Sequence, residues 1–190
     1  MTGARRPDHA PWQILGAREL LARPPRLRVS AETVRLPDGR TIDDFYRVQL
    51  VDYAQIIAEA PDGRFLMIRQ YKHGARRVSL TFPAGGLDPG EPALEAARRE
   101  LLEEAGAVAE SWRALGSYVV AGNAGVATMH LFRAAGVRQI QPPDSGDLEE
   151  MELLWLDRDQ LKAAWRRGEF TLLAASFALA LVFAEGLDGP

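Results

Sequence analysis

The stretch from Gly85 to Ala107 constrains the fold of this chain more than any other. Its first part is rich in glycine and proline, which favour a loop, and its second part is rich in helix-forming residues. Pro92 suits the first turn of a helix, and Gly106 suits the position just past its end. We therefore predict a loop that leads into a helix from about residue 92 to residue 105.

This helix has two different faces. Its apolar stripe, at spacings of three and four residues, consists of Leu94, Ala97 and Leu101, and can pack on a sheet. Its acidic face carries Glu100, Glu103 and Glu104, at positions i, i+3 and i+4. Like charges at this spacing repel each other, so we expect these carboxylates to point outward from a docked helix and to need a positive partner. Arg99 lies four residues before Glu103 and can relieve part of the repulsion.

The acidic face allows two interpretations. A solvated acidic face on an ordinary helix is the simpler one. The loop directly before the helix favours the other, because the backbone carbonyls of a glycine-rich loop can point at an ion. Three carboxylates with a carbonyl form an all-oxygen set of ligands, which suits Mg²⁺ or Mn²⁺ rather than zinc.

Strand-like segments surround the predicted helix. Two Pro-Asp-Gly-Arg turns, at residues 37–40 and 61–64, each join apolar-rich segments of the kind that form hairpins. Further strands are predicted near residues 80–82, 112–120, 128–134 and 150–156, and helices near 157–167 and 171–185. Strands and helices that do not alternate strictly predict an α+β fold.

Composition excludes several classes of protein. The 190 residues carry a formal net charge of −3, so neither nucleic acid nor an anionic membrane is an expected partner. The absence of cysteine excludes disulfides and thiolate metal sites. The first ten residues read as a mobile basic tail without the apolar core of a secretory signal. The apolar run 172–184 is short for a membrane span. We expect a cytoplasmic protein.

The spacing of the residues between Gly85 and Ala107 resembles a known motif, the Nudix box. In that motif a glycine is followed at fixed intervals by a glutamate, an Arg-Glu pair, an aliphatic residue, a Glu-Glu pair, a glycine and an aliphatic residue. Here those positions are Gly85, Glu91, Arg99, Glu100, Leu101, Glu103, Glu104, Gly106 and Ala107. The resemblance implies a Nudix fold, in which a mixed β-sheet is sandwiched between helices (α/β/α). It also implies metal-dependent hydrolysis of a nucleoside diphosphate linked to another group.

The resemblance also implies roles for single residues. The metal ligands would be the carbonyl of Ala84 and the carboxylates of Glu100, Glu103 and Glu104, with Glu103 and Glu104 also counted among the catalytic residues. Arg99 would hold a glutamate in place, and Glu91 would tie the loop to the helix or lie in an outer shell around the metal. A general base would come from the loop after Pro142, with Glu149 as the first candidate and Asp147 as the second, because a mobile carboxylate can reach the attacking water.

Residues around the box resemble one branch of the family, the ADP-ribose and nucleotide-sugar pyrophosphatases. The segments that carry this resemblance are 36–40, 43–46, 68–74, 82–85, 88–91 and 171–176. It implies a homodimer formed through an N-terminal antiparallel β extension, here residues 1–50, beside a Nudix hydrolase domain at 51–190. The candidate substrate-binding residues are Trp12, Arg69, Gly85 and Gly86.

One departure from this branch leaves the substrate open. ADP-ribose hydrolases of the branch usually carry a proline shortly after the box, and this chain has none between Pro92 and Pro142. The expected substrate is therefore a nucleotide sugar such as ADP-ribose or GDP-mannose, cleaved to a nucleoside monophosphate and a sugar phosphate. The alternatives are a sanitising hydrolase of nucleoside triphosphates and a Nudix-fold module that binds a nucleotide without turnover.

Overall fold

A computed structural model describes residues 10–146 and 150–184 and confirms the α+β class. The strands within these ranges are β1 (Gln13–Arg23), β2 (Leu27–Arg35), β3 (Thr41–Gln49), β4 (Tyr53–Glu59), β5 (Phe65–Lys72), β6 (Arg77–Thr81), β7 (Ala84–Gly86), β8 (Ala107–Val108), β9 (Ser111–Val120), β10 (Ala127–Ala135), β11 (Arg138–Gln139) and β12 (Met151–Leu156). The helices are α1 (Ala93–Ala105), α2 (Arg158–Arg166) and α3 (Leu173–Phe183), and a 3₁₀ turn covers His73–Ala75.

The chain forms two compact units. One comprises the described residues of Met1–Val51 together with Val119–Ala127, and the other comprises those of Asp52–Tyr118 and Thr128–Pro190. Residues 1–9 of the predicted N-terminal tail lie outside the described residues.

The first unit contains an antiparallel sheet in the order β1-β2-β3, which confirms the predicted N-terminal antiparallel extension. Its buried side chains, Ala31 and Val34, both come from the central strand β2. β1 lies at an edge of this sheet and is exposed along almost its whole length. β1 was not predicted from the sequence, because its apolar residues do not alternate regularly with polar ones.

The second unit is built on a mixed sheet in the order β12-β5-β4-β10-β9. β10 runs parallel to β4, whereas β5 is antiparallel to both β4 and β12. β6 pairs with β5, and β7 pairs with β4. β7 occupies the first part of the predicted glycine-rich loop, so the start of this loop is fixed to the central strand of the sheet. The short strands β8 and β11 form a separate pair.

Helices cover both faces of this mixed sheet. Leu66 of β5 belongs to the hydrophobic cluster that contains Ala97 and Leu101 of α1. Its neighbour Phe65 lies instead beneath the guanidinium of Arg158, at the start of α2, at 5.6 Å from the ring centroid. Because successive side chains of a strand point to opposite faces, α1 and α2 lie on opposite sides of the sheet.

Local sequence explains where the helices begin and end. Asp157 caps α2 by accepting the backbone N–H of Gln160, whose side chain accepts the N–H of Asp157 in return. α1 ends at Gly106, which adopts the left-handed conformation with φ +60° and donates its N–H to the carbonyl of Leu102. Among the described helices, none combines the length and the apolar character that a membrane crossing requires.

Candidate active site

The guanidinium of Arg99 is the centre of the acidic face of α1. It binds Glu91 through two hydrogen bonds, from Nε at 3.0 Å and from Nη2 at 2.9 Å. Nη1 donates to Glu100 at 2.6 Å and to Glu103 at 3.0 Å. Nη2 also donates to the backbone carbonyl of Gly86 at 2.8 Å. One cation therefore gathers three carboxylates and fastens the end of β7 to the helix.

The loop between β7 and α1 is fixed by the same arginine. The carboxylate of Glu91 accepts hydrogen bonds from the guanidinium of Arg99 and from the backbone N–H of Asp88, the latter at 2.9 Å. These hydrogen bonds stabilise the charged form of the carboxylate. The guanidinium of Arg99, followed by the N–H of Asp88, lowers the pKa of Glu91 to about 2. The loop is thus held by a carboxylate that stays ionised at any physiological pH.

Glu100 lies against the backbone of Gly85. A Cβ placed on Gly85 would stand closer than 3.0 Å to the carboxyl carbon and to both carboxylate oxygens of Glu100. Only a glycine therefore leaves room for this carboxylate beside β7. The side chain of Glu100 is 13% exposed, so it is largely enclosed by β7, Arg99 and its own helix.

Glu104 corrects one prediction about the helix. The acidic face was expected to point outward, but Glu104 is buried, with 5% of its surface exposed. Its Oε2 accepts the backbone N–H of Ala84 at 2.9 Å, because α1 packs close to β7. The side chain of Glu103, by contrast, is 44% exposed and faces solvent. The carboxylates of the acidic face thus differ in exposure, from the buried Glu104 to the exposed Glu103.

These residues suit a hard divalent cation in the chemistry of their donors. Glu100, Glu103 and Glu104 offer only oxygen, and β7 brings a backbone segment beside them without any side chain in the way at Gly85. In the part of the chain that the structure describes, no three acidic or histidine side chains stand close enough to enclose a cation by themselves. Glu100 and Glu103 both accept Nη1 of Arg99, whereas Glu104 accepts the N–H of Ala84.

The other predicted residues lie in different surroundings. Arg69 of β5 donates to Glu152 at 2.8 Å and to Glu169 at 3.3 Å. Trp12 packs edge-to-face on Phe45, with ring centroids 5.7 Å apart, and 47% of its surface is exposed. The structure thus brings together the predicted residues of β7 and α1 in one cluster, and no contact in the described ranges joins Arg69 to that cluster. The candidate general bases, Asp147 and Glu149, lie outside the described residues.

Two contacts of this arrangement were not predicted from the sequence. Gly86 contributes a carbonyl to Arg99, and Ala84 donates its N–H to Glu104. Both contacts depend on the pairing of β7 with β4, in which Ala84 lies opposite Gln55 and Gly86 opposite Tyr53. The available signal was the segment Thr81-Phe82-Pro83-Ala84 before the glycines, which is apolar enough to extend the sheet.

Comparison with known proteins gives a consistent result. The model of the family described as NUDIX domain matches residues 50–174, well over half of the chain. An ADP-ribose pyrophosphatase from Mycobacterium tuberculosis (strain ATCC 25618 / H37Rv) is 30% identical over 155 residues, which cover 80% of this chain and 73% of that protein. A methanol dehydrogenase activator from Bacillus methanolicus is 26% identical over 138 residues, covering 70% of this chain and 72% of that one.

The fold has a close counterpart among solved structures. The crystal structure of an ADP compounds hydrolase superimposes with a TM-score of 0.75 and covers 90% of this chain and 91% of the other. The sequence identity in this match is 22%, so the match supports the fold and carries no information about substrate.

Proposed function

Because this chain belongs to the Nudix family of pyrophosphohydrolases, we propose that it hydrolyses the diphosphate bond of a nucleoside diphosphate derivative with the help of Mg²⁺ or Mn²⁺. The observation that carries the proposal is the cluster on α1, where Glu100 and Glu104 reach the backbone of β7 and Arg99 gathers the remaining carboxylates. An ordinary surface helix does not need carboxylates arranged in this way beside a fixed backbone segment.

Each residue of the cluster has a proposed role that follows from its position. Glu100, Glu103, Glu104 and the carbonyl of Ala84 would hold the cation, which when bound polarises a phosphoryl oxygen and makes an attacking water more acidic. Arg99 positions Glu100 and Glu103, and it fastens the loop through Glu91. Glu149, or else Asp147, is proposed to take the proton of the water. Water oxygen then bonds to one phosphorus, the bridging P–O bond breaks, and the leaving phosphate carries away its electron pair.

A nucleotide sugar is the proposed substrate, with ADP-ribose as the first candidate. The support is that the Mycobacterium tuberculosis relative is described as an ADP-ribose pyrophosphatase. The products would be a nucleoside monophosphate and a sugar phosphate. The missing proline between Pro92 and Pro142 keeps GDP-mannose as a second candidate. Trp12, Arg69, Gly85 and Gly86 stay predictions as substrate-binding residues.

The test of this proposal uses one substitution and a panel of substrates. Replacement of Glu104 by Gln preserves an acceptor for the N–H of Ala84 but removes the charge, so the fold should persist while hydrolysis falls more than about 100-fold. ADP-ribose, GDP-mannose, ADP-glucose, UDP-glucose, NADH and deoxynucleoside triphosphates would be assayed with Mg²⁺ and with Mn²⁺. Full activity of the variant would overturn the metal assignment. A preference for triphosphates would favour the sanitising hydrolase, and binding without turnover would favour the non-catalytic module.

We also propose that the chain forms a homodimer through its N-terminal strands and that it acts in the cytoplasm. The support for the dimer is β1, an edge strand whose large apolar side chains are 40–60% exposed; they are Ile14, Leu15, Leu20 and Leu21. An exposed apolar edge strand is a template for pairing with another chain. Sedimentation at micromolar concentration should give a dimer, and replacement of Ile14 and Leu21 by Lys should give a monomer. A wild-type monomer under these conditions would contradict the proposal.

A further inference from the structure

A groove lies between α2 and α3 in the second unit. Arg158 at the start of α2 donates to the backbone carbonyl of Val182 near the end of α3, so the two helices are joined at this point. The groove between them has a volume of about 610 Å³, which is within the range of pockets that hold small molecules. Because α1 and α2 lie on opposite sides of the sheet, the groove has no part in the cluster on α1. Its lining includes Lys162, Trp165, Arg166, Leu179, Ala180 and Phe183.

Helical periodicity explains why these side chains share one space. On α2, Lys162, Trp165 and Arg166 stand at positions i, i+3 and i+4, which form one face of a helix. On α3, the lining positions are 176, 179, 180 and 183, with the same spacing. The residues that α2 buries in the core are different ones, Leu161 and Ala164. The lining of the groove is therefore a second face of each helix, which the core of the unit leaves uncovered.

The walls of the groove are apolar and already in position. Trp165 is 49% exposed, and its ring leans on the buried Phe170, with the ring centroids 6.3 Å apart. Phe183 on the other helix is 40% exposed, whereas Leu179 is buried and closes the groove on the side of the core. A ligand can therefore contact two aromatic rings without any rearrangement of the core.

Two cations on α2 add positive charge to this apolar space. Lys162 and Arg166 lie one helical turn apart and are exposed, and neither forms a hydrogen bond or an ion pair with any residue that the structure describes. Arg167, the next residue, is by contrast paired with Glu169 at 2.6 Å. Among the described residues that line the groove, none is acidic. The groove thus carries two uncompensated positive charges along the wall that α2 provides.

We propose that the groove binds a free fatty acid of medium chain length. The alkyl chain lies against Trp165 and Phe183, and the carboxylate lies between Lys162 and Arg166. Cations one helical turn apart can each donate to one oxygen of a carboxylate. The lining of α3 extends over residues 176–183, about 10 Å along the helix axis. This length suits a single medium chain and is short for a docked partner helix of three or four turns.

The experiment measures the binding of decanoate to the full chain by isothermal titration calorimetry, below the concentration at which decanoate forms micelles. Chelator keeps the cluster on α1 free of divalent cations. Hexanoate and octanoate give the dependence on chain length, and decanol and decylamine test the need for negative charge. We expect the affinity to rise about fourfold for each added methylene. Decanol and decylamine should bind about tenfold more weakly than decanoate. The indole N–H resonance of Trp165 should shift as decanoate binds.

Variants separate the contributions of charge and of apolar surface. Lys162→Gln and Arg166→Gln should each weaken decanoate binding about fivefold, the upper range for an exposed ion pair. Ala180→Phe should fill the groove and abolish binding, and the fold should tolerate it because Ala180 is exposed. Arg167→Gln is the matched control, because Arg167 lies outside the lining and pairs with Glu169. Its affinity should be unchanged. A thermal midpoint checks that each variant is folded.

Several results would overturn the proposal. They are no binding of decanoate, equal binding of decanol or decylamine, no dependence on chain length, and equal weakening by Arg167→Gln. Binding to vesicles of phosphatidylcholine and phosphatidylglycerol without binding of free decanoate would assign the groove to a lipid surface instead. Self-association that Ala180→Phe abolishes would assign it to a second copy of the chain. The inference does not rest on the proposed hydrolysis, so Glu104→Gln should bind decanoate as the wild type does.

Discussion

Replacement of Gly85 by Ala should disable the cluster on α1 while leaving the fold intact. An added Cβ would stand closer than 3.0 Å to the carboxyl carbon and both oxygens of Glu100. The group in the way is the far end of a flexible side chain, so it can turn aside without moving the backbone. The φ of Gly85 also lies outside the left-handed region, so an alanine can adopt it without strain. The methyl group should therefore displace one carboxylate and little else.

The expected magnitudes follow from that geometry. The free energy of unfolding should change by less than about 1 kcal/mol, because a compatible Gly→Ala change even restricts the unfolded chain. If Glu100 holds the cation, its displacement should weaken activation by Mg²⁺ about 10- to 100-fold, the range seen when a metal site loses a group that orients a ligand. Glu100→Gln should weaken it at least as much, since it removes the charge itself.

The assay is initial hydrolysis rate against Mg²⁺ concentration, together with urea unfolding of each variant. Gly74→Ala serves as the matched control, because that glycine also has a negative φ and open space around the Cβ position. The double variant Gly85→Ala/Glu100→Gln should be no worse than Glu100→Gln alone, since both changes act on one carboxylate. Wild-type activation by Mg²⁺ in Gly85→Ala, or additive losses in the double variant, would refute the reasoning.

Two further predictions concern stability. Gly106→Ala should lower the free energy of unfolding by more than about 3 kcal/mol, because the new Cβ would overlap the backbone oxygen of Gln141 and because alanine is strained at a left-handed φ. Gly63→Ala is the control, since Gly63 has φ +81° but open space around the Cβ position; it should lower the free energy of unfolding by only about 1–2 kcal/mol in the same urea titration. Because the folded pKa of Glu91 is about 2 and its ordinary value is 4.5, its contribution is complete above about pH 4.5 and is lost as the pH falls towards 2; Glu91→Gln should flatten this part of the stability profile, and parallel profiles for the two proteins would contradict the assignment.

The helix of the site could be predicted from sequence because its signals are local. The start near Pro92, the end at Gly106 and the spacing of three carboxylates all depend on residues within four positions of each other. The periodicity of the helix then decides which side chains share a face. The box also related Gly85 and Arg99 to the carboxylates, since both lie within 20 residues of all three along the chain.

Other features of the site were beyond the reach of sequence because they depend on non-local packing. Glu104 is buried since β7 pairs with β4, and that pairing joins residues about 30 positions apart in the chain. An isolated helix pattern gives no sign of which flank of the acidic face a neighbouring strand will cover. The same holds for Leu80 of β6 and Glu169 after α2, which are 89 positions apart in the chain and are joined by a backbone hydrogen bond.

The contacts of Arg99 explain how such an acidic cluster can be stable and still favour a cation. Glu91, Glu100, Glu103 and Glu104 together carry four formal negative charges, and the guanidinium offsets only one. Repulsion between like charges three and four residues apart on a helix costs a few tenths of a kcal/mol per pair, which the core contacts of α1 can tolerate. The bidentate bond to Glu91 and the bond to Gly86 hold Arg99 to the loop independently of its bonds to Glu100 and Glu103. Those two carboxylates can therefore turn from the arginine towards a divalent cation while the loop stays fastened to the helix.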